Sequence, residues 1–238
     1  MATTKVTSSV IGDNEVKTVN ILDANVTTAK VADDAITLAK LAPGIDGNII
    51  SYDASGNPAA VSTGDLGNVL TSSGAGAPPT MSMPSTITSD TSVGTGNSYD
   101  ITGIPAGVRC VHILFEGVST NGTSPVLVQL GDSGGIETSG YEAEGTQSNG
   151  PSTQSSTAGF PMFCHLATHG ISGIMDLRLK DAANFTWVSS HSARAFTNVA
   201  LYGGGVKSLS AQLTQLRITT IGGSAAFDAG TVALQYGY

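Results

Sequence analysis

A mainly β fold, with a repetitive extended N-terminal stem followed by an antiparallel β-sandwich or jelly-roll head, is predicted by three features of the 238-residue sequence. Apolar and polar residues alternate with period two through short runs in the C-terminal part of the chain. Glycine is abundant, at 30 residues, and falls between those runs where turns are needed. Repeats of period ten and period twenty occupy the first eighty residues, and a single copy carries too little apolar surface for its own core.

The period-ten repeat comes first and defines a stem or attachment segment over residues 1–45. IGDNEVKTVN from Ile11, ILDANVTTAK from Ile21 and VADDAITLAK from Val31 align without gaps. Apolar residues hold the first place (Ile11, Ile21, Val31, Leu41) and the sixth (Val16, Val26, Ile36), and Asp13, Asp23 and Asp33 hold the third. Such blocks bury these positions against copies of themselves, along one chain or around an axis shared by several. So few blocks favour several chains. Residues 31–41 fit an amphipathic helix equally well, with Asp33-Asp34 early, Lys40 late and Pro43-Gly44 beyond, so helix and β both stay open for this segment.

Residues 46–84 form a Gly/Pro-rich shaft or linker of period twenty. Gly47-Asn48-Ile49-Ile50-Ser51 answers Gly67-Asn68-Val69-Leu70-Thr71, and Gly56 and Pro58 answer Gly76 and Pro78. Each unit reads as a short strand, a turn and an extended return, edge-like because of its prolines.

The head, residues 85–238, shows regular alternation. Val111, Ile113 and Phe115 alternate with His112, Leu114 and Glu116; Val126, Val128 and Leu130 with Leu127 and Gln129; Met175, Leu177 and Leu179 with Asp176, Arg178 and Lys180; and Val232, Leu234 and Tyr236 close the chain. Gly122-Thr123, Gly134-Gly135 and Gly203-Gly204-Gly205 read as turns between strands.

The run DGNIISYDASGNPAAVSTGDLGNVLTSSGAGAPPTM, with decapeptides ending Ala-Lys-Leu-Ala-Pro-Gly, resembles the N-terminal regions of tailed-phage fibre proteins. ITGIPAGVRCVHILFEGVSTNGTSPVLVQLGDSGGIETSGY and SLSAQLTQLRITTIGGSAAFDAGTVALQYGY resemble a head module of the same virion proteins. The resemblance implies a homotrimer resident in the virion. Its stem would attach to another virion protein, in the tail or baseplate or on the capsid, and its head would meet a host-surface glycan or protein. A tail fibre and a capsid decoration (head fibre) protein both need this plan, and composition does not separate them.

Charge sharpens the expectation. Charged residues make up 12%, against about a quarter in soluble monomers, and the net charge is −8. The 10 Lys and Arg residues are scattered, which argues against a nucleic-acid partner. No apolar run approaches the ~18 residues of a membrane span. The start, Met1-Ala2-Thr3-Thr4-Lys5, lacks the apolar stretch of a signal peptide. Cys110 and Cys164, set among apolar neighbours, read as reduced buried thiols.

No catalytic constellation, cofactor site or metal site is expected. Gly131-Asp132-Ser133-Gly134-Gly135 spells the serine-protease nucleophile sequence, but His112 lies too close upstream and no further aspartate intervenes. It reads as a turn. His165 and His169 have helical metal-ligand spacing without a third ligand. Glycosidase acid pairs such as Glu142 and Glu144 lack the aromatic platforms of such enzymes. The polar stretch 134–159 reads instead as a functional loop, and Glu137, Tyr141, Glu142, Glu144, Gln147 and Asn149 are its candidate host-contact residues. Trp187 and Tyr202 are further candidates for stacking on sugar, with the core the commoner place for a lone tryptophan.

Overall fold

The computed structural model describes residues 16–22, 24–32, 35–36, 46–149, 153–163, 166–167, 169–196 and 199–238. Contacts divide the chain into two compact units, one of residues up to 63 with 72–80, the other of 64–71 with 81–238.

In the first unit the decapeptide periodicity becomes a backbone periodicity. Short 3₁₀ turns occupy Thr18–Asn20 and Thr28–Lys30, ten residues apart. Hydrogen bonds from Asn25 N to Leu22 O (3.1 Å) and from Ala35 N to Ala32 O (3.0 Å) keep the same spacing. Helix and strand were the two alternatives for this segment, and its described residues adopt neither. Thr and Val lose side-chain freedom in a helix, which favours isolated i→i+3 turns over propagation. Ile11 and Leu41 lie outside the described residues.

Strands β1 (Ile49–Tyr52) and β2 (Pro58–Val61) pair antiparallel across the turn at residues 53–57. The Asp53 carboxylate ties that turn by accepting from Ser55 N (2.8 Å) and Asn57 N (2.9 Å). Twenty residues on, β3 (Val69–Thr71) pairs with β4 (Thr80–Ser82). Glycines at matched places take left-handed φ, +82° and +92° at Gly47 and Gly67, and +80° and +79° at Gly56 and Gly76. The sequence period is therefore a conformational one.

The rest is antiparallel sheet. In chain order come β5 (Ser85–Ile87), β6 (Thr91–Ser92), β7 (Ser98–Thr102), β8 (Cys110–Thr120) and β9 (Val126–Asp132). Then follow β10 (Gly135–Ile136), β11 (Tyr141–Gln147), β12 (Thr153–Ser156), β13 (Phe160–Met162) and β14 (Ile171–Asp181). β15 (Thr186–Phe196), β16 (Val199–Ser208), β17 (Gln215–Thr220) and β18 (Phe227–Gly237) complete it. Among the described residues the larger sheet runs β12-β11-β16-β15-β14-β8-β18-β5, with β6 also on β18. The smaller runs β10-β9-β17-β7, with β13 also on β9.

One apolar core draws side chains from both sheets, among them Ile113, Met175, Leu177 and Trp187 from the larger and Val128, Leu130, Leu216 and Ile218 from the smaller. This is the mainly β, sandwich-like arrangement expected from period-two patterning. Two details differ from expectation. β9 is buried on both faces rather than one, because the segment leading into β13 covers it. Gln129 Nε2 donates to Ala158 O (2.8 Å), and a Cβ at Gly159 would sit 2.7 Å from Leu127. Gly203-Gly204-Gly205 is not a turn but the middle of β16. A Cβ at Gly203 would lie 2.3 Å from Glu144 O, and one at Gly205 2.5 Å from Glu142 O. These glycines let two backbones approach closely. Among the described residues no helix is long and apolar enough to cross a membrane.

Candidate functional site

The segment 134–159 was expected to be a polar contact loop. Its described residues are mostly β10, β11 and β12, and alternation splits the candidates between the two faces of the sheet. Tyr141, 1% exposed, points into the core. Its ring meets Phe160 edge-on, with centroids 5.1 Å apart and planes at 86°. Its hydroxyl accepts from Leu130 N (2.6 Å) and lies 3.0 Å from Glu137 O as donor. Burial pushes this phenol above its ordinary pKa. Gln147 is buried as well. Neither is a contact residue on this chain's surface. A run poor in large apolar residues hid them, because the inward places are filled by Tyr, Gly and Gln.

Glu137 also turns inward. Its carboxylate pairs with Lys207 Nζ at 2.5 Å and accepts from Ser210 N (2.7 Å) and Ser210 Oγ (2.9 Å). Lys207 in addition donates to Ser139 O (2.9 Å) and lies 5.2 Å from the Tyr141 ring centroid. Burial raises the Glu137 pKa, but the bonds from Lys207 and Ser210 outweigh it, leaving the group below its usual range. Asp132 accepts from the Ser210 hydroxyl (2.6 Å) and from Gly134 N (2.7 Å), which hold its pKa down. The Gly131–Gly135 sequence is thus a tight turn from β9 into β10, with Ser133 exposed at its tip. This polar cluster fixes the β9–β11 connection and is structural in its chemistry.

Glu142, Glu144 and Asn149 remain exposed. The first two lie on the outer face of the larger sheet, where the register sets Glu144 opposite Gly204 and Thr146 opposite Tyr202. Thr153 of β12 pairs with Thr146 on the other side. Tyr202, 47% exposed, stands beside the bare backbone of Gly204. An open groove of about 400 Å³ runs here, lined by Glu144, Thr146, Thr153, Tyr202 and the Gly203-Gly204 backbone. An aromatic face, a carboxylate and two hydroxyls thus share one shallow surface. Farther across the same face, His112 Nδ1 contacts the Asp176 carboxylate. Glu144 and Tyr202 lie far apart in the sequence, and only the pairing of β11 with β16 brings them together.

The other candidates scatter. Trp187 is in the core, as a lone tryptophan usually is. His169 is buried, whereas His165 and Cys164 lie outside the described residues. Cys110 is an unbridged, half-buried thiol. Among the described residues no three His, Cys, Asp or Glu side chains gather in a metal-binding group. Of the stem positions, Val16, Ile21, Val26 and Ile36 are between 45% and 60% exposed in the single chain, and Val31 is half-buried.

Compared with family models, with curated proteins and with solved structures, the chain matches none.

Proposed function

We propose that the chain is a structural protein of a tailed-phage virion: a trimeric tail fibre, not an enzyme, whose N-terminal repeats attach to the tail and whose sheet domain contacts the host surface. The observation that carries this reading is the exposure of Val16, Ile21, Val26 and Ile36 at a strict spacing. Apolar side chains kept in register but left uncovered within one chain fit burial against identical neighbours. Low charge and the open Tyr202–Glu144 groove support a head that works by surface contact. Three copies of one weak site would act together through avidity.

The test is antibody labelling of the sheet domain on intact virions in electron micrographs. Label at the tail tip agrees with the proposal. Label over the head replaces it with capsid decoration, the same trimer clamped to the capsid by its N-terminal segment.

A further inference from the structure

A second concavity, separate from the Tyr202 face, lies where β14 turns into β15. It holds about 360 Å³, within the range of about 300–1,000 Å³ typical of small-ligand sites. Leu179, Phe185, Trp187 and Leu213 wall it, while the exposed Arg109 and Gln212 stand at its mouth. Its shape is built rather than incidental. Phe185 sits at φ +48°, a conformation bulky residues avoid, and its carbonyl is held there by Leu209 N at 3.1 Å. The preceding turn is fixed by Asp181, whose carboxylate accepts from Ala183 N (2.8 Å) and Asn184 Nδ2 (2.8 Å).

Its polar groups are unspent. The Trp187 indole N–H is buried with no acceptor among the described residues. The Arg109 guanidinium forms no ion pair among them, although the chain as a whole is acidic. The acid on the adjoining turn, Asp181, is already engaged by backbone and Asn184. Apolar walls with a buried unmatched N–H and an arginine cation at the rim select a particular chemistry: an apolar ring or branched tail ending in a carboxylate. We propose that this pocket binds a small amphipathic carboxylic acid, its tail against Phe185 and Trp187 and its carboxylate on Arg109.

Trp187 is the only tryptophan of the chain, so its fluorescence reports on this pocket alone. The full-length protein is titrated with 3-phenylpropionate and with the uncharged 3-phenylpropanamide. The expected result is a saturable emission change, at least about tenfold tighter for the acid than for the amide. Arg109→Gln, at an exposed position, removes that preference, and Ala182→Leu on the pocket wall abolishes the saturable change. Circular dichroism matching the parent verifies both folds. No saturable change with the acid, or equal affinities for acid and amide, overturns the proposal. So does an Arg109→Gln protein that keeps the preference. None of these outcomes bears on where the protein sits in a virion.

Discussion

Residues 16–36 and the sheet domain carry equally strict apolar periodicities, yet they use them in opposite ways. In the sheets, period two sends Val111, Ile113, Met175, Leu177, Leu216 and Ile218 into a shared interior. In the repeats, period ten leaves Val16, Val26 and Ile36 facing outward, with local turns as the backbone's own hydrogen bonding. A periodicity names the residues that seek cover; it does not name the surface that covers them. Inside a sandwich that surface is the opposite sheet, a few tens of residues away. For the decapeptides, the reading argued above makes it another chain.

The contrast breaks or sharpens on three measurements. The largest effect separates the two regions directly. Leu216→Ala, in a fully buried position, lowers the stability of the sheet domain by about 2–5 kcal/mol in denaturant titration. On the trimer proposed above, the double change Val26→Ser and Ile36→Ser leaves that unfolding midpoint in place and shifts the protein from trimer to monomer in sedimentation. A stable trimer that survives the double change removes the basis for interchain burial.

Next comes the acid response of the core. His191 points inward on β15 with neither ring nitrogen hydrogen-bonded among the described residues, and burial lowers its pKa from 6.5 to about 4. The unfolded chain therefore takes up this proton first as pH falls. Above 6.5 the group costs nothing; between 6.5 and 4 stability declines, reaching a loss of about 3 kcal/mol near pH 4. Asp100, Asp132 and Glu137 have pKa values lowered from 3.8, 3.8 and 4.5, so their contributions are nearly intact at both pH 7 and pH 5 and fade as pH falls below those ordinary values. Chemical denaturation at pH 7 and pH 5 should differ by about 2 kcal/mol, and the difference should shrink in His191→Leu. An unchanged pH response in that variant would show that the burden lies elsewhere.

The smallest effect belongs to an edge. Arg217 holds Asp100 of β7 through two bonds, 2.6 and 2.8 Å, partly open to solvent. Asp100→Asn should cost about 0.5–1 kcal/mol, less in high salt, as melts at two ionic strengths will report.

How much could be read in advance follows from the same physics. Strands β8, β14 and β18 were legible because their inward places hold large apolar side chains. β15 was not, because Ser189 and His191 occupy inward places and flatten the alternation of Trp187, Ala193 and Ala195. β16 looked like a turn because three glycines answer a tertiary demand, the close approach of β11, that no local rule encodes. The candidate contact residues were half legible. Outward Glu142 and Glu144 alternate with inward Tyr141, and polarity alone does not tell them apart. The groove needed Tyr202 from far along the chain, and only register could bring it there.

The unequal lengths of the strands have a consequence for assembly. Inner strands β8, β14, β15, β16 and β18 of the larger sheet run ten or eleven residues and β11 seven, while its borders are β12 with four residues and β5 and β6 with three and two. Unpaired backbone at a long border invites a second molecule to add its own strand, and the addition can continue without limit. Here the borders are too brief to template such growth. At this sheet, molecules crowded together at high local concentration are thereby steered away from strand-by-strand stacking.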